Sequence, residues 1–163
     1  MRSYDLSNIH VLVLEKHRLV RQVMKDVFKT FGVPRIETTD CPMDAFDRFQ
    51  TNEHDIVLTD WTYDLDGIGF LERLRKSDET NNPYVPVIVV TANTEVRHVC
   101  LARDGGMTEY LAKPISASLI YSRICSVIEN HRKFVRTSDF FGPDRRRQQR
   151  PFCGQDRRKL HMY

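Results

Sequence analysis

Asp55-Ile56-Val57-Leu58-Thr59-Asp60-Trp61 is a short apolar run that ends on a carboxylate, and two later segments repeat the pattern with other polar groups. Val87-Ile88-Val89-Val90 runs into Thr91-Ala92, and Tyr110-Leu111-Ala112 runs into Lys113-Pro114. Runs of this length, rich in Val, Ile, Leu and Thr, read as strands. A carboxylate, a hydroxyl and an ammonium at the C-terminal ends of three parallel strands make a phosphoryl-transfer site. The first strand, Ile9-His10-Val11-Leu12-Val13-Leu14, ends in Glu15-Lys16, where such a site calls for two acids.

Working outward, strands are expected at 9–14, 35–38, 55–59, 86–91 and 108–112. Leu19, Val20, Val23, Met24, Val27, Phe28 and Phe31 recur at three and four residues and close on Gly32 with Pro34 beyond, a helix with a clear stop. Met43 to Phe49, Ile68 to Leu74, Val96 to Ala102 and Leu119 to Ile128 supply four more helical faces. Five strands and five helices in alternation predict an α/β fold, a doubly wound parallel sheet with right-handed crossovers and helices on both faces. Such sheets bind ligands outside the carboxyl ends of their strands, where Glu15, Asp60, Thr91 and Lys113 all fall.

Composition bounds the organisation. At 163 residues, with 40% hydrophobic and 29% charged residues, one domain with a short extension is expected. Residues 1–8 read as a leader, 9–131 as the domain and 132–163 as a basic extension, partly disordered or laid against a surface. The extension carries ten Lys/Arg against three Asp, a surplus of seven positive charges; within the total of +3, the remainder is therefore −4. The four cysteines form no CxxC pair and point to reduced thiols rather than disulfides or zinc. The longest apolar stretch, around Val85 to Val90, is too short to span a bilayer, and residues 1–8 lack a signal-peptide core. A cytoplasmic protein without membrane contact is expected.

On the residues Glu15, Asp60, Thr91-Ala92 and Tyr110-Leu111-Ala112-Lys113-Pro114, the stretch 9–131 resembles the receiver domain of bacterial two-component response regulators. The resemblance implies a flavodoxin-like sheet in the order 2-1-3-4-5. It also implies phosphorylation of Asp60 by a histidine kinase or phosphotransfer protein, and a cis bond between Lys113 and Pro114. Lys113 would be the cation on the phosphoryl oxygens, with Thr91 and Tyr110 as the switch pair. Mg2+ would sit on Glu15, Asp60 and the backbone carbonyl of Thr62. The chain would be a signalling protein rather than an enzyme. The chemistry agrees, since an acceptor aspartate needs fixed cations and donors to neutralise the equatorial oxygens.

Two departures bear on this. Lys16 stands where the family has a second acid, and Mg2+ is held by carboxylate and phosphate oxygens. At about 4 Å and an effective dielectric near 20, an ammonium repels a divalent ion by roughly 8 kcal/mol before relaxation, an upper bound. The site is expected to be weak or empty of metal, with Lys16 either swung away or paired with Asp60 in place of the ion. The loop Asp60-Trp61-Thr62-Tyr63-Asp64-Leu65-Asp66-Gly67 is one residue shorter than the family pattern and has no proline. Asp64 either reaches the pocket as a substitute carboxylate or, with Asp66, forms the turn and caps the next helix.

In the extension, Phe140-Phe141-Gly142-Pro143-Asp144-Arg145-Arg146 is echoed twelve residues later by Phe152-Cys153-Gly154-Gln155-Asp156-Arg157-Arg158. Arg145, Arg146, Arg157 and Arg158, with Tyr110 on the body, are the expected partner-binding residues. Their partner is an output protein of unknown identity; nucleic acid, through arginine on phosphate and phenylalanine on bases, is the alternative. A dehalogenase-type phosphatase would need an acid at position 62, which is Thr62, and no P-loop is present.

Overall fold

A computed structural model of the chain describes residues 4–62, 64–76, 78 and 80–146. β1 (His10–Leu14), β2 (Arg35–Thr39), β3 (Ile56–Asp60), β4 (Val87–Thr91) and β5 (Glu109–Ala112) form one parallel sheet in the order β2-β1-β3-β4-β5. The helices α1 (Arg18–Thr30), α2 (Pro42–Thr51), α3 (Gly67–Lys76), α4 (Val96–Asp104) and α5 (Ala117–Glu129) alternate with the strands. This is the flavodoxin-like order that the family resemblance implied. Every residue of β1, β3 and β4 is buried, as strands covered on both faces must be.

Alternation along the strands divides the core between the two faces. Leu12, Leu14, Val57, Val87 and Val89 pack with Phe46 and Phe49 of α2 and with Phe70, Leu71 and Leu74 of α3. Val11, Val13, Leu58, Ile88 and Val90 pack with Met24 and Phe28 of α1 and with Ile120 and Ile124 of α5. Burying each such large side chain contributes roughly 1.5–3 kcal/mol. The apolar face expected of α1 is wider than what is buried: Leu19 and Val23 are 81% and 52% exposed. A helix lying on a sheet buries one stripe, and Met24 and Phe28, with Val20 and Val27 beside them, already fill it. Gly32 ends the helix at φ +80°, its N–H donating to the Lys29 carbonyl and that of Val33 to the Phe28 carbonyl.

Beyond α5, β6 (Phe134–Arg136) and β7 (Phe141–Pro143) pair as an antiparallel hairpin, which the low aliphatic content of this segment did not predict. Aromatics supply its contacts instead. Phe134 and Phe141 lie 5.5 Å apart between ring centroids, and Tyr84 lies 5.1 and 5.4 Å from them. Gly142 permits the approach to the turn before β5, since a Cβ there would sit 2.8 Å from the Gly106 Cα. Under the hairpin Arg75 is buried, donating to the carbonyls of Gly106, Pro83 and Val85 at 3.0, 2.8 and 2.7 Å. Burial pushes its pKa down to about 9. Arg145 lies over the Phe140 ring and pairs with Asp104 at 3.2 Å, and the Arg146 N–H donates to the Asp144 carboxylate. The second copy of the motif, with Arg157 and Arg158, lies outside the described residues.

Candidate functional site

The parallel register carries four polar residues to one edge of the sheet. Asp60 is the last residue of β3 and Thr91 the last of β4, while Glu15 follows β1 and Lys113 follows β5. Both carboxylates are buried, Glu15 fully and Asp60 all but 1%. Lys113 Nζ donates to Glu15 Oε2 at 2.7 Å and to Asp60 Oδ2 at 2.9 Å, and the Trp61 N–H donates to Asp60 Oδ1 at 2.8 Å. Lys113 is followed by a cis bond to Pro114.

The three charges set one another's ionisation. Burial raises the pKa of Asp60 above the ordinary carboxylate range; Lys113 opposes the rise and Glu15 adds to it. Glu15 is also penalised by burial, but Lys113 and His17 outweigh that and hold its pKa below the ordinary value. Burial acts against the Lys113 ammonium, yet hydrogen bonds to both carboxylates raise its pKa. One cation thus serves two buried anions, leaving Asp60 the more basic.

His17 is a member of the site that the sequence reading missed. Its N–H donates to Glu15 Oε1 at 2.8 Å and its Nδ1 lies 3.0 Å from the same oxygen. Its spacing two residues past Glu15 was the available signal. Ligand atoms of Glu15, His17 and Asp60 all lie within 4.8 Å of one another. The two carboxylates suit a hard ion such as Mg2+, whereas the imidazole suits a transition metal better. Thr62 donates its N–H to the Leu65 carbonyl and accepts the Leu65 N–H on its own, each at 3.3 Å.

Lys16 does not pair with Asp60. Its ammonium meets Asp64 at the exposed rim, where neither charge has to be desolvated, while the pocket behind it already holds Lys113. Lys16 first, then Thr62 Oγ1 at 2.9 Å, hold the Asp64 carboxyl below its ordinary range, so Asp64 is engaged at the rim with these two partners. Asp66 caps α3, its Oδ1 accepting the Gly69 N–H at 2.7 Å. Gly67 is required by contact: a Cβ there would fall 1.9 Å from the Asp60 carbonyl oxygen. The shortened loop therefore brings the start of α3 directly onto the backbone of Asp60.

Thr91 and Tyr110 meet through Asn93, which was also missed. Thr91 Oγ1 donates to the Trp61 carbonyl at 2.6 Å and accepts the Asn93 N–H at 3.1 Å. The Tyr110 hydroxyl donates to the Asn93 carbonyl, and burial raises its pKa. Asn93 Nδ2 lies 2.9 Å from His98 Nε2, and the His98 ring stands edge-on to Trp61 at 5.0 Å. A cavity of about 500 Å3 opens among Trp61, Thr62, Asp66, Thr91, Asn93 and His98. No helix of the described residues is long and apolar enough to cross a membrane.

Comparison with known proteins bears on the fold and the family. Residues 11–125 match the family model described as response regulator receiver domain. The chain is similar to the chemotaxis protein CheY-3 of Vibrio cholerae, with 23% identity over 123 residues, covering 75% of this chain and 93% of the relative. It is also similar to the chemotaxis protein CheY of Pseudomonas aeruginosa, with 22% identity and coverage of 73% and 95%. Among solved structures, a Francisella response regulator receiver domain superposes with a TM-score of 0.65 at 28% identity, covering 72% of this chain and 94% of that one. Vibrio cholerae CheY4 gives the same score at 19% identity, with coverage of 73% and 98%. With most of its length matched and the β2-β1-β3-β4-β5 sheet in place, the chain belongs to the response regulator receiver family of two-component signalling.

Proposed function

We propose that Asp60 accepts a phosphoryl group from a phosphohistidine of a histidine kinase or phosphotransfer protein in the cytoplasm, and that the chain passes the signal on by protein contact. The observation that carries this reading is Lys113, held 2.7 and 2.9 Å from two buried carboxylates at the strand ends. In the transfer an Asp60 oxygen bonds to phosphorus as the bond from phosphorus to the donor imidazole nitrogen breaks, and the imidazole leaves. Charge spreads over the equatorial oxygens. Lys113, already beside Asp60 Oδ2, turns its N–H groups to them, and Thr91 Oγ1 exchanges the Trp61 carbonyl for a phosphoryl oxygen. Thr91 also holds the Asn93 N–H, so its departure disturbs the segment that anchors Tyr110. Glu15, Asp60 and the Thr62 carbonyl would hold Mg2+, which when bound would supply further neutralisation of the charge on the phosphoryl oxygens. The site for it is weak, with one carboxylate fewer than usual and Lys16 at its rim.

The output surface in this reading is the face of α4, β5 and α5 around Tyr110. On α4 Val96 and Leu101 stand 78% and 54% exposed, and Leu119 of α5 is exposed as well; exposed apolar side chains are what a partner surface offers. Arg145, paired within the chain to Asp104, supports protein contact rather than nucleic-acid contact for the basic extension; Arg146, Arg157 and Arg158 are proposed to contact the same partner. The test is phosphotransfer from a histidine-phosphorylated phosphotransfer protein. The label should move to wild type and not to Asp60→Asn; label on both, or on neither, refutes the reading.

A further inference from the structure

At the end of the sheet opposite Asp60, His10 opens β1, Glu37 stands in β2 and His54 precedes β3. Because β1 lies between β2 and β3, the three side chains converge. His10 Nε2 is 3.0 Å and His54 Nε2 3.3 Å from the same oxygen, Glu37 Oε1, and the two rings lie 4.2 Å apart between centroids. The His54 side chain is completely buried, near-parallel to the Phe49 ring at 5.9 Å, and neither of its ring nitrogens has a hydrogen-bond partner of good geometry. A buried polar group left in this way calls for a missing partner.

The hydrogen bonding of His10 limits what that partner can be. Its Nδ1 lies 2.8 Å from the Glu53 carbonyl oxygen, which can only accept, so Nδ1 carries the proton. In the Nδ1-protonated tautomer the lone pair of Nε2 faces the Glu37 carboxylate at 3.0 Å. Two electron-rich atoms 3.0 Å apart repel unless a proton or a metal cation lies between them.

We propose that His10 Nε2, His54 Nε2 and a carboxylate oxygen of Glu37 hold a transition-metal ion of the zinc class, with a fourth position open. The three donor atoms lie within 4.8 Å of one another. Ligand distances of about 2.0–2.1 Å give a tetrahedron an edge of roughly 3.3–3.4 Å, so the spacings of 3.0 and 3.3 Å need to open only by tenths of an ångström. The outer contacts are also those of a metal site, where a ligating histidine donates its other N–H to a carbonyl and the ligating carboxylate is itself held. Asn52 Nδ2 donates to Glu37 Oε1 at 2.9 Å and Arg48 Nη1 to Oε2 at 3.4 Å, with Arg48 balanced by Asp44 at 2.8 Å. Two imidazoles and one carboxylate select zinc, copper or nickel over Mg2+ or Ca2+. Glu37 is 21% exposed and leaves a path for a fourth ligand, either water or a side chain of another molecule.

The test is titration of chelator-stripped full-length protein with Co2+, followed by displacement with Zn2+. One Co2+ per chain should bind with the intense visible bands of four-coordinate cobalt. Glu37→Gln and His54→Phe should each weaken binding by about 100-fold or more, because changes to outer contacts alone cost about 10–100-fold at metal sites. Asp60→Asn should leave these bands in place. The thermal transition of each metal-free variant establishes that it is folded, and Glu37→Gln, on the accessible side, carries the test if His54→Phe fails to fold. Absence of the bands overturns the proposal, as does binding unaffected by Glu37→Gln, or binding abolished by Asp60→Asn, which would place the ion at Glu15, His17 and Asp60.

Discussion

Replacing Lys113 by methionine keeps the aliphatic bulk and removes the one cation between two buried carboxylates. At 2.7 and 2.9 Å and an effective dielectric near 20, each contact has a Coulomb energy of about 6 kcal/mol. Taking the ions out of water costs several kcal/mol apiece, so the net loss on breaking such a buried arrangement is about 3–5 kcal/mol. Lys113→Met should be less stable by that amount near neutral pH. The pH dependence has a definite sign. The Asp60 pKa is already raised by burial, and losing Lys113 raises it further, so the variant's stability is greatest below the unfolded pKa and falls as pH rises through the folded one. The deficit against wild type should therefore shrink as the pH is lowered from about 7.5 to about 5.5, and Lys113→Met combined with Asp60→Asn should recover most of it at either pH. Urea unfolding followed by circular dichroism and by fluorescence of Trp61, the single tryptophan, measures each quantity. A deficit below about 1 kcal/mol, no change with pH, or no recovery in the double variant would refute the account of one cation shared by two buried anions.

Three further outcomes are expected. Trp61 fluorescence should respond weakly to millimolar Mg2+ in wild type and saturably in Lys16→Asp, which supplies the absent carboxylate; equal responses would mean that His17 or the Thr62 carbonyl already makes up the site. Gly67→Ala should lower stability by about 1–3 kcal/mol or more and slow phosphorylation, since its Cβ must displace the Asp60 carbonyl from 1.9 Å; wild-type stability in the variant would contradict that contact. Deleting residues 134–163 should leave a cooperative thermal transition, because the five-stranded sheet and α5 precede the cut, but at a lower temperature as Arg75 and Tyr84 lose their cover. Loss of cooperativity would show that the hairpin is part of the domain core.

The sheet was legible because each strand is a nearly continuous apolar run and each helix has its own period; the observed strands begin and end within one residue of those expected. Glu15, Asp60, Thr91 and Lys113 were legible for the same reason, as polar residues that stop those runs. What escaped was set by side-chain reach across the fold. Lys16 chooses Asp64 over Asp60 because the rim is wet and the pocket holds another ammonium, a comparison of solvation that no spacing records. Asn93 and His98 act through contacts made only when the loop after β4 meets Trp61. The convergence of His10, Glu37 and His54 requires the strand order, and the hairpin after α5 is built on Phe134, Phe141 and Gly142 against Tyr84 and Gly106 rather than on aliphatic periodicity.

The central claim is that Asp60, held by Lys113 at the strand ends, takes up a phosphoryl group. Intact-protein mass after incubation with acetyl phosphate, with and without Mg2+, measures this directly on wild type and Asp60→Asn. The account requires a gain of one phosphoryl mass in wild type alone, larger with Mg2+ and larger again in Lys16→Asp. An unmodified wild type under all these conditions, or the same gain in Asp60→Asn, would contradict it.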